Sequence, residues 1–570
     1  MSELLFEIGC EEIPAGYILP ALEALARQVE SALGEARLSF GETRTFGTPR
    51  RLALAVAAVA ERQSDQEVKR LGPPKGAAFD SEGRPTKAAL GFAKGQGVAM
   101  EDLTIEATPK GEYVCARRHE KGRPAAEVLP EILLKLVPAL PFPKSMRWGA
   151  GRLRFARPIH WLLATLGGQP LTFELDGIVS GGVTYGHRFV SPGPIEPRGA
   201  EDYLARLEAA KVIAEPARRR EMCRRAVLDA AREAGGAPIS DDALLEQVTN
   251  LVEFPVAVCG RFDDEFLQIP REVVVTAMRE HQRYFAVTDA GGALLPAFVS
   301  VVNTPASDMS LIRAGNERVL RARLADARFF YREDCKRPLH ARLDTLRKVV
   351  FHSGLGTSFE KVKRLEELAG LLADRLYPGH KQAARRAALL SKCDLVTEMV
   401  GEFPTLQGTM GGIYARGSGE TEEVAQAIAE HYLPKGAQEE VPKTEAGVVV
   451  SLADKLDNIC GVFGLGLVPT GTADPYALRR QCLAVITLCW AKGLHLDLRE
   501  AIRADLARLS PKLSTDPAET EAPFWSSSRA AWRACSRPLV FLRPGWCRPP
   551  SRSSRETSWR SGSARRPLKR

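Results

Sequence analysis

Between Glu131 and Glu174 the sequence carries no acidic residue but six cations, Lys135, Lys144, Arg147, Arg152, Arg154 and Arg157. Phe142, Trp148, Phe155 and Trp161 are interleaved with them in PFPKSMRWGAGRLRFARPIHW. Positive charge mixed with flat rings suits a polyanion that also offers bases for stacking. The same pattern fits a strand pair whose aromatics are core and whose arginines form a solvated face. A second basic run is RVLRARLADARFFYREDCKR, in which Arg321, Arg328 and Arg332 recur at spacings of seven and four. That spacing sets them on one helical face beside an apolar stripe of Leu320, Leu324, Ala327 and Tyr331. Such a row can track phosphates, or it can pair with Asp326, Glu333 and Asp334 as an ordinary charged surface.

A third constellation comprises His352, Cys393-Asp394 and Asp454, with His431 and Asp457 nearby, all on segments that read as helical. A histidine, a His-Asp pair and a distant Asp from separate helices are what HD-type phosphohydrolases use to hold a divalent metal that activates water. SLADKLDNI resembles the last of those helices. Cys393, however, stands where that chemistry needs an imidazole, and a lone thiolate among hard carboxylates is a poor match for Mg or Mn. The expectation is an HD-like helical fold with degenerate positions and no metal; the alternative functions are a metal-dependent phosphohydrolase or a free-standing RNA-binding scaffold. Among motifs, there is no GxxxxGK[ST], no GxGxxG after a strand, no HExxH and no GxSxG. PKSMRW has no HIGH partner before it, so no ATP site is legible.

The elements that must position these residues divide the 570-residue chain into an α/β front and an all-α back. Leu4–Ile8 and Leu52–Val59 read as strands and Leu22–Leu33 as a helix. The Gly, Pro and Lys-rich stretch 70–97 reads as a long loop followed by a short helix. Helical spacing holds over 200–234, strand character returns over 273–287 and 297–302, and nearly everything from 343 to 509 has helical period. The expected organisation is a mixed α/β region over 1–199 and a second α/β region over 200–342 ending in the Arg-rich helix. An all-α HD-like domain follows over 343–510. No apolar run reaches the length of a membrane span, and Glu3, Glu7, Glu11 and Glu12 sit where a secretory signal would carry cations. Eleven cysteines without a CxxC read as ordinary thiols of a reducing, cytoplasmic setting.

The net charge of +9 is unevenly held. From Pro523 onward there are eleven Arg and one Lys against Glu556, which leaves 67 cations and 69 carboxylates elsewhere, a net charge of −2. The basic pI therefore does not make the whole protein a nucleic-acid binder. That tail holds four of the seven Trp and ten Ser with no apolar period, so it is expected to stay disordered. One reading is a basic arm for polyanions. The favoured reading is a shifted reading frame, since GC-rich codons allow Phe524–Ser536 to be reread as LEFLAGRLEGLL, with apolar residues at helical spacing.

Long blocks in a fixed order carry a resemblance. LLFEIGCEEIPAGYI, FGTPRRLAL, GPPKGAAFD, FPKSMRWG, RFARPIHW, TYGHRF, VEFPVAVCGRFDDEFLQIP, AMREHQRYF, GNERVLRARLADARFFYREDC, EFPTLQGTMGGIYA and SLADKLDNICGVFGLGLVPTGTADPYALRRQ resemble the β subunits of bacterial tetrameric glycyl-tRNA synthetases, over Met1 to about Ala522. The resemblance implies an α2β2 assembly in which the α subunit makes the adenylate from ATP and Mg while β holds tRNA and binds neither cofactor. It also implies an HD-like helical domain and a C-terminal anticodon-binding domain. The latter would open at 511–522 and be lost in the aberrant segment 523–570, because the family's β chains run longer.

Overall fold

The computed structural model describes residues 1–436, 440–469 and 474–513. The tail from Pro523, and most of the expected opening of an anticodon-binding domain, lie outside the described residues. The fold is mixed α/β through the first part and helical toward the end, as the periodicities require. Two compact units emerge: Met1–Asp263 with Met278–Leu320, and Asp264–Ala277 with the chain from Arg321 onward.

In the first unit the strand Ser2–Cys10 is central, paired antiparallel with Arg51–Val59 on one side and Ile159–Leu166 on the other. Phe6 faces Leu54 and Ala164 across the two ladders. Leu4 to Cys10 are all buried, which explains why this strand reads as a near-continuous apolar run: both faces of the sheet are covered. On one face Leu4, Phe6 and Ile8 pack with Leu22, Leu25 and Val29 of the helix Ala15–Glu35 and with Leu129 and Leu133 of Ala125–Ala139. On the other, Leu5 and Leu163 pack with Tyr203 and Leu207 of Ala200–Ala209. A second sheet, ordered Ala237–Pro238, Phe285–Thr288, Leu294–Val302, Val256–Arg261, carries Pro216–Glu233 and Asp242–Thr249 on one side.

Two segments differ from the sequence expectation. The stretch 70–97 is no long loop: the strand Gln66–Pro74 runs into it, pairs with Gly111–Glu120, and is followed by helices Lys75–Ala78 and Lys87–Gln96. The second helix has its own stop and start signals, Thr86 accepting from the Ala88 amide and Gly97 left-handed at φ 68°. The run expected to restore strand character at Val273 opens instead as a helix, Arg271–Thr276, and the strand begins only at Phe285. Pro270 starts that helix, and burial of Val273 and Val274 overrides their β preference.

In the second unit the helix Glu445–Gly464 is buried along almost its whole length. It packs against Ser358–Leu376, Lys381–Leu390, Glu422–Glu430, Leu478–Ala491 and Leu498–Leu509. A helix apolar on every side is what such a hub requires. The polar residues it does contain, Ser451, Asp454, Lys455, Asp457 and Asn458, must therefore find partners inside the bundle.

Candidate functional site

The basic-aromatic segment sorts its residues by chemistry. Met146 and Phe155 exchange backbone hydrogen bonds of 2.8 and 3.1 Å, closing the hairpin that carries residues 147–154. Phe155 is fully buried, and Phe142, Trp148 and Leu153 pack on the same core. The Asp176 carboxylate accepts from the Arg152 and Leu153 amides at 3.1 and 3.2 Å and pins the far side of the loop. Lys144, Arg147, Arg152 and Arg154 point outward, with Arg157 half-buried. None of these five cations forms an ion pair among the described residues. Arg154 donates only to the hydroxyl and carbonyl of Ser145, and Arg157 to the Ala156 carbonyl. The result is a braced loop whose five cationic side chains form no ion pair among the described residues, the one carboxylate against it, Asp176, being engaged by backbone amides.

The Arg-rich run is the second half of the helix Met309–Cys335, with Leu320, Leu324 and Ala327 buried as the stripe predicts. Its arginines do not act alike. Arg328 pairs with Glu265 at 2.5 Å and lies over the Phe266 ring at 5.0 Å, so it serves the packing of its own unit. Arg321 and Arg332 are exposed. At the end of this helix the buried Asp334 accepts from the Glu398 and Met399 amides, the Tyr414 hydroxyl and Arg342.

The HD-like positions are not brought together as a ligand set. His352 lies on a short strand, Val350–His352, instead of the expected helix, with Nε2 3.2 Å from the Tyr476 hydroxyl and Nδ1 accepting from the Gly354 amide. Cys393 is fully buried and its thiol is pushed up to about 12 by desolvation. Asp394 accepts from the Gly408 and Gly411 amides at 2.6 and 3.1 Å, and burial raises its carboxyl to about 6. Among the described residues no three His, Cys, Asp or Glu side chains form a group that could hold a metal ion.

What surrounds Asp454 and Asp457 is a set of cations. Lys392 donates to Asp454 Oδ2 at 3.1 Å, and Lys361 lies 3.1 Å from Oδ1. Lys361 also donates to Asp457 at 2.8 Å and to Asn458 at 2.7 Å, while Arg364 holds Asp457 from Nε at 2.6 Å. Both carboxyls are held below the ordinary carboxylate range, where the ammonium and guanidinium groups outweigh the cost of burial. His431 Nδ1 donates to the Ile428 carbonyl, so Nε2 is the acceptor for Lys392 at 2.8 Å. Burial and Lys392 keep this ring neutral, well below the usual histidine range. Lys392 and Lys361 thus stand at both oxygens of Asp454, which a metal would need. The sequence signal was present but unread: Lys392 directly precedes Cys393, and Lys361 and Arg364 are one turn apart on one helix.

The first unit holds another buried charge network that the sequence reading missed. Glu7, Arg51 and Glu253 are all inaccessible. Glu7 accepts from Thr184 at 2.7 Å and from Trp161 and Tyr203. Arg51 lies 3.7 Å from Glu7 and 3.2 Å from Glu253, which also accepts from Thr48 at 2.7 Å. Five blocks far apart in sequence, LLFEIGC, FGTPRRLAL, RFARPIHW, TYGHRF and VEFPVAVC, meet in this one lock.

A family model described as glycyl-tRNA synthetase beta subunit matches residues 4–531. The glycine–tRNA ligase beta subunit of Geobacter metallireducens is 51% identical over 92% of this chain and 76% of its own length. That of Syntrophus aciditrophicus is 49% identical over 91% and 75%. That of Geobacter sulfurreducens is 50% identical over 91% and 76%. Matches of this extent make the chain a subunit of an aminoacyl-tRNA synthetase. It belongs to the glycyl-tRNA synthetase beta subunit family.

Proposed function

We propose that this chain is the tRNA-binding, non-catalytic partner in glycine–tRNA ligation, working in the cytoplasm in an α2β2 assembly whose α subunit uses ATP and Mg. The observation that carries this reading is the braced loop at 144–157, where Lys144, Arg147, Arg152, Arg154 and Arg157 have no carboxylate partner among the described residues. Surface cations already paired gain little by meeting phosphate, whereas unpaired ones release the nucleic acid's counterions on binding. Substituting Arg147, Arg152 and Arg154 together with Ala is expected to weaken binding of glycine tRNA. It should also flatten the salt dependence, by about 0.7 to 0.9 in slope for each phosphate left unneutralised. An unchanged slope would return the loop to a solvated face.

The phosphohydrolase alternative has less support, because the groups around Asp454 are lysines. We infer that no divalent metal binds there. Phosphatase activity appearing with added Mn or Mg, and lost in Asp454→Asn, would reverse that inference.

A further inference from the structure

A cleft of about 450 Å³ opens beside the buried charge cluster, lined among others by Thr405, Gln407, Lys435, Asp454, Lys455 and Arg480. Nothing in the tRNA reading above uses it. Among the described residues the only carboxylate in its lining is Asp454, and both oxygens of that group already face Lys392 and Lys361. Lys455 is 5% exposed, and its ammonium donates to four neutral oxygens, the His431, Tyr432 and Leu433 carbonyls at 3.5, 3.4 and 2.9 Å and the Ser451 hydroxyl at 2.8 Å. Desolvation, with Lys392 nearby, pulls this ammonium down to about 7, and the Asp454 carboxylate offsets only part of the cost of its burial. The side chains of Arg480, Gln407 and Thr405 are exposed in the same cleft and have no hydrogen-bond or ion-pair partner among the described residues. A guanidinium, an amide and a hydroxyl left open next to a buried ammonium form a donor set that lacks its acceptor.

We infer that this cleft binds a phosphate group, held by Arg480 and Gln407 at the mouth, with the buried positive charge of Lys455 behind them. A phosphate supplies several strong acceptors and the negative charge that the lining lacks. The volume lies within the range of small-ligand pockets, so a mononucleotide fits as well as one backbone phosphate of RNA. The inference does not rest on the proposed role of the loop at 144–157.

The test is calorimetric titration of the full purified chain with AMP and with inorganic phosphate at constant ionic strength, beside titration with glycine tRNA. The variants are Arg480→Ala and Gln407→Ala, both exposed positions, with Lys348→Ala as an exposed cation outside the cleft. Saturable AMP or phosphate binding, weakened about tenfold or more by Arg480→Ala and unchanged in Lys348→Ala, is the expected result for a small phosphorylated ligand. If tRNA affinity falls by a similar factor in Arg480→Ala alone, with or without competition by AMP, the phosphate is one of bound RNA. The inference is overturned if neither small-anion nor tRNA binding responds to Arg480→Ala, or if Lys348→Ala lowers both equally. Absence of the loop's tRNA effect with cleft binding intact would instead remove only the reading of 144–157.

Discussion

Asp457 accepts hydrogen bonds from both Lys361 and Arg364 with no solvent access, so its removal takes the ion-pair partner from the half-buried Arg364 and leaves the buried Lys361 with the Asp454 carboxylate alone. Asp457→Ala should cost about 3 to 5 kcal/mol in urea unfolding of the second unit, whereas breaking the exposed Lys363–Glu366 pair should cost less than about 1. The pH dependence follows from its depressed carboxyl. The folded state keeps Asp457 ionised below the ordinary value of 3.8, so its contribution is complete above that pH and is lost as pH falls through the lower folded value. The stability gap between wild type and Asp457→Asn should therefore be widest above pH 3.8 and close on further acidification; a gap that widens there would reverse the assigned sign. The acidic residues of SLADKLDNI were legible as members of a polar constellation, and a three-residue step puts them on one helical face. Their partners were not, because an ammonium from another helix and a metal ion satisfy the same carboxylates equally well on paper.

At the scale of elements, Gly9 shows how tightly the central strand is specified. A Cβ there would lie 1.9 Å from the Trp161 ring, and Trp161 is held by its hydrogen bond to Glu7. Gly9→Ala must displace the ring or the strand and should cost about 1 to 3 kcal/mol, read as a lowered urea midpoint; a neutral effect would mean the ring is free to move. Helices with sustained period, such as 200–234 and the core of 343–509, were legible because apolar spacing is local information. The helix at Arg271, the strand bearing His352 and the ordered pieces within 70–97 were not, because burial and pairing with distant strands decide them. The basic loop was half legible. Its aromatics read as core or as a stacking surface, core being the commoner outcome, and the structure puts Phe155 fully in the core with Trp148 packed against it. The outward set of cations survives that correction.

Across the whole molecule, charge is the property that separates binding from chemistry. Outside the tail the chain is nearly neutral, so the proposed attraction to RNA rests on local concentrations of cations such as 144–157 and not on net charge. No phosphate-cradling nucleotide motif accompanies them. Adenylate formation and tRNA engagement should therefore be separable in the assembled ligase. The chain alone should give no glycine-dependent ATP–pyrophosphate exchange, and adding the α subunit should establish it. In that mixture Arg147→Ala, Arg152→Ala and Arg154→Ala combined should leave exchange, which needs no tRNA, within about twofold of wild type. The same variant should raise the KM for tRNA in glycylation by about tenfold or more, because a deficit of about 1.4 kcal/mol in binding energy already gives that factor. Exchange by this chain alone would refute the non-catalytic assignment. Equal losses of exchange and glycylation in the variant would assign the loop to the α-subunit interface or to folding, and its cations would no longer be counted as tRNA ligands.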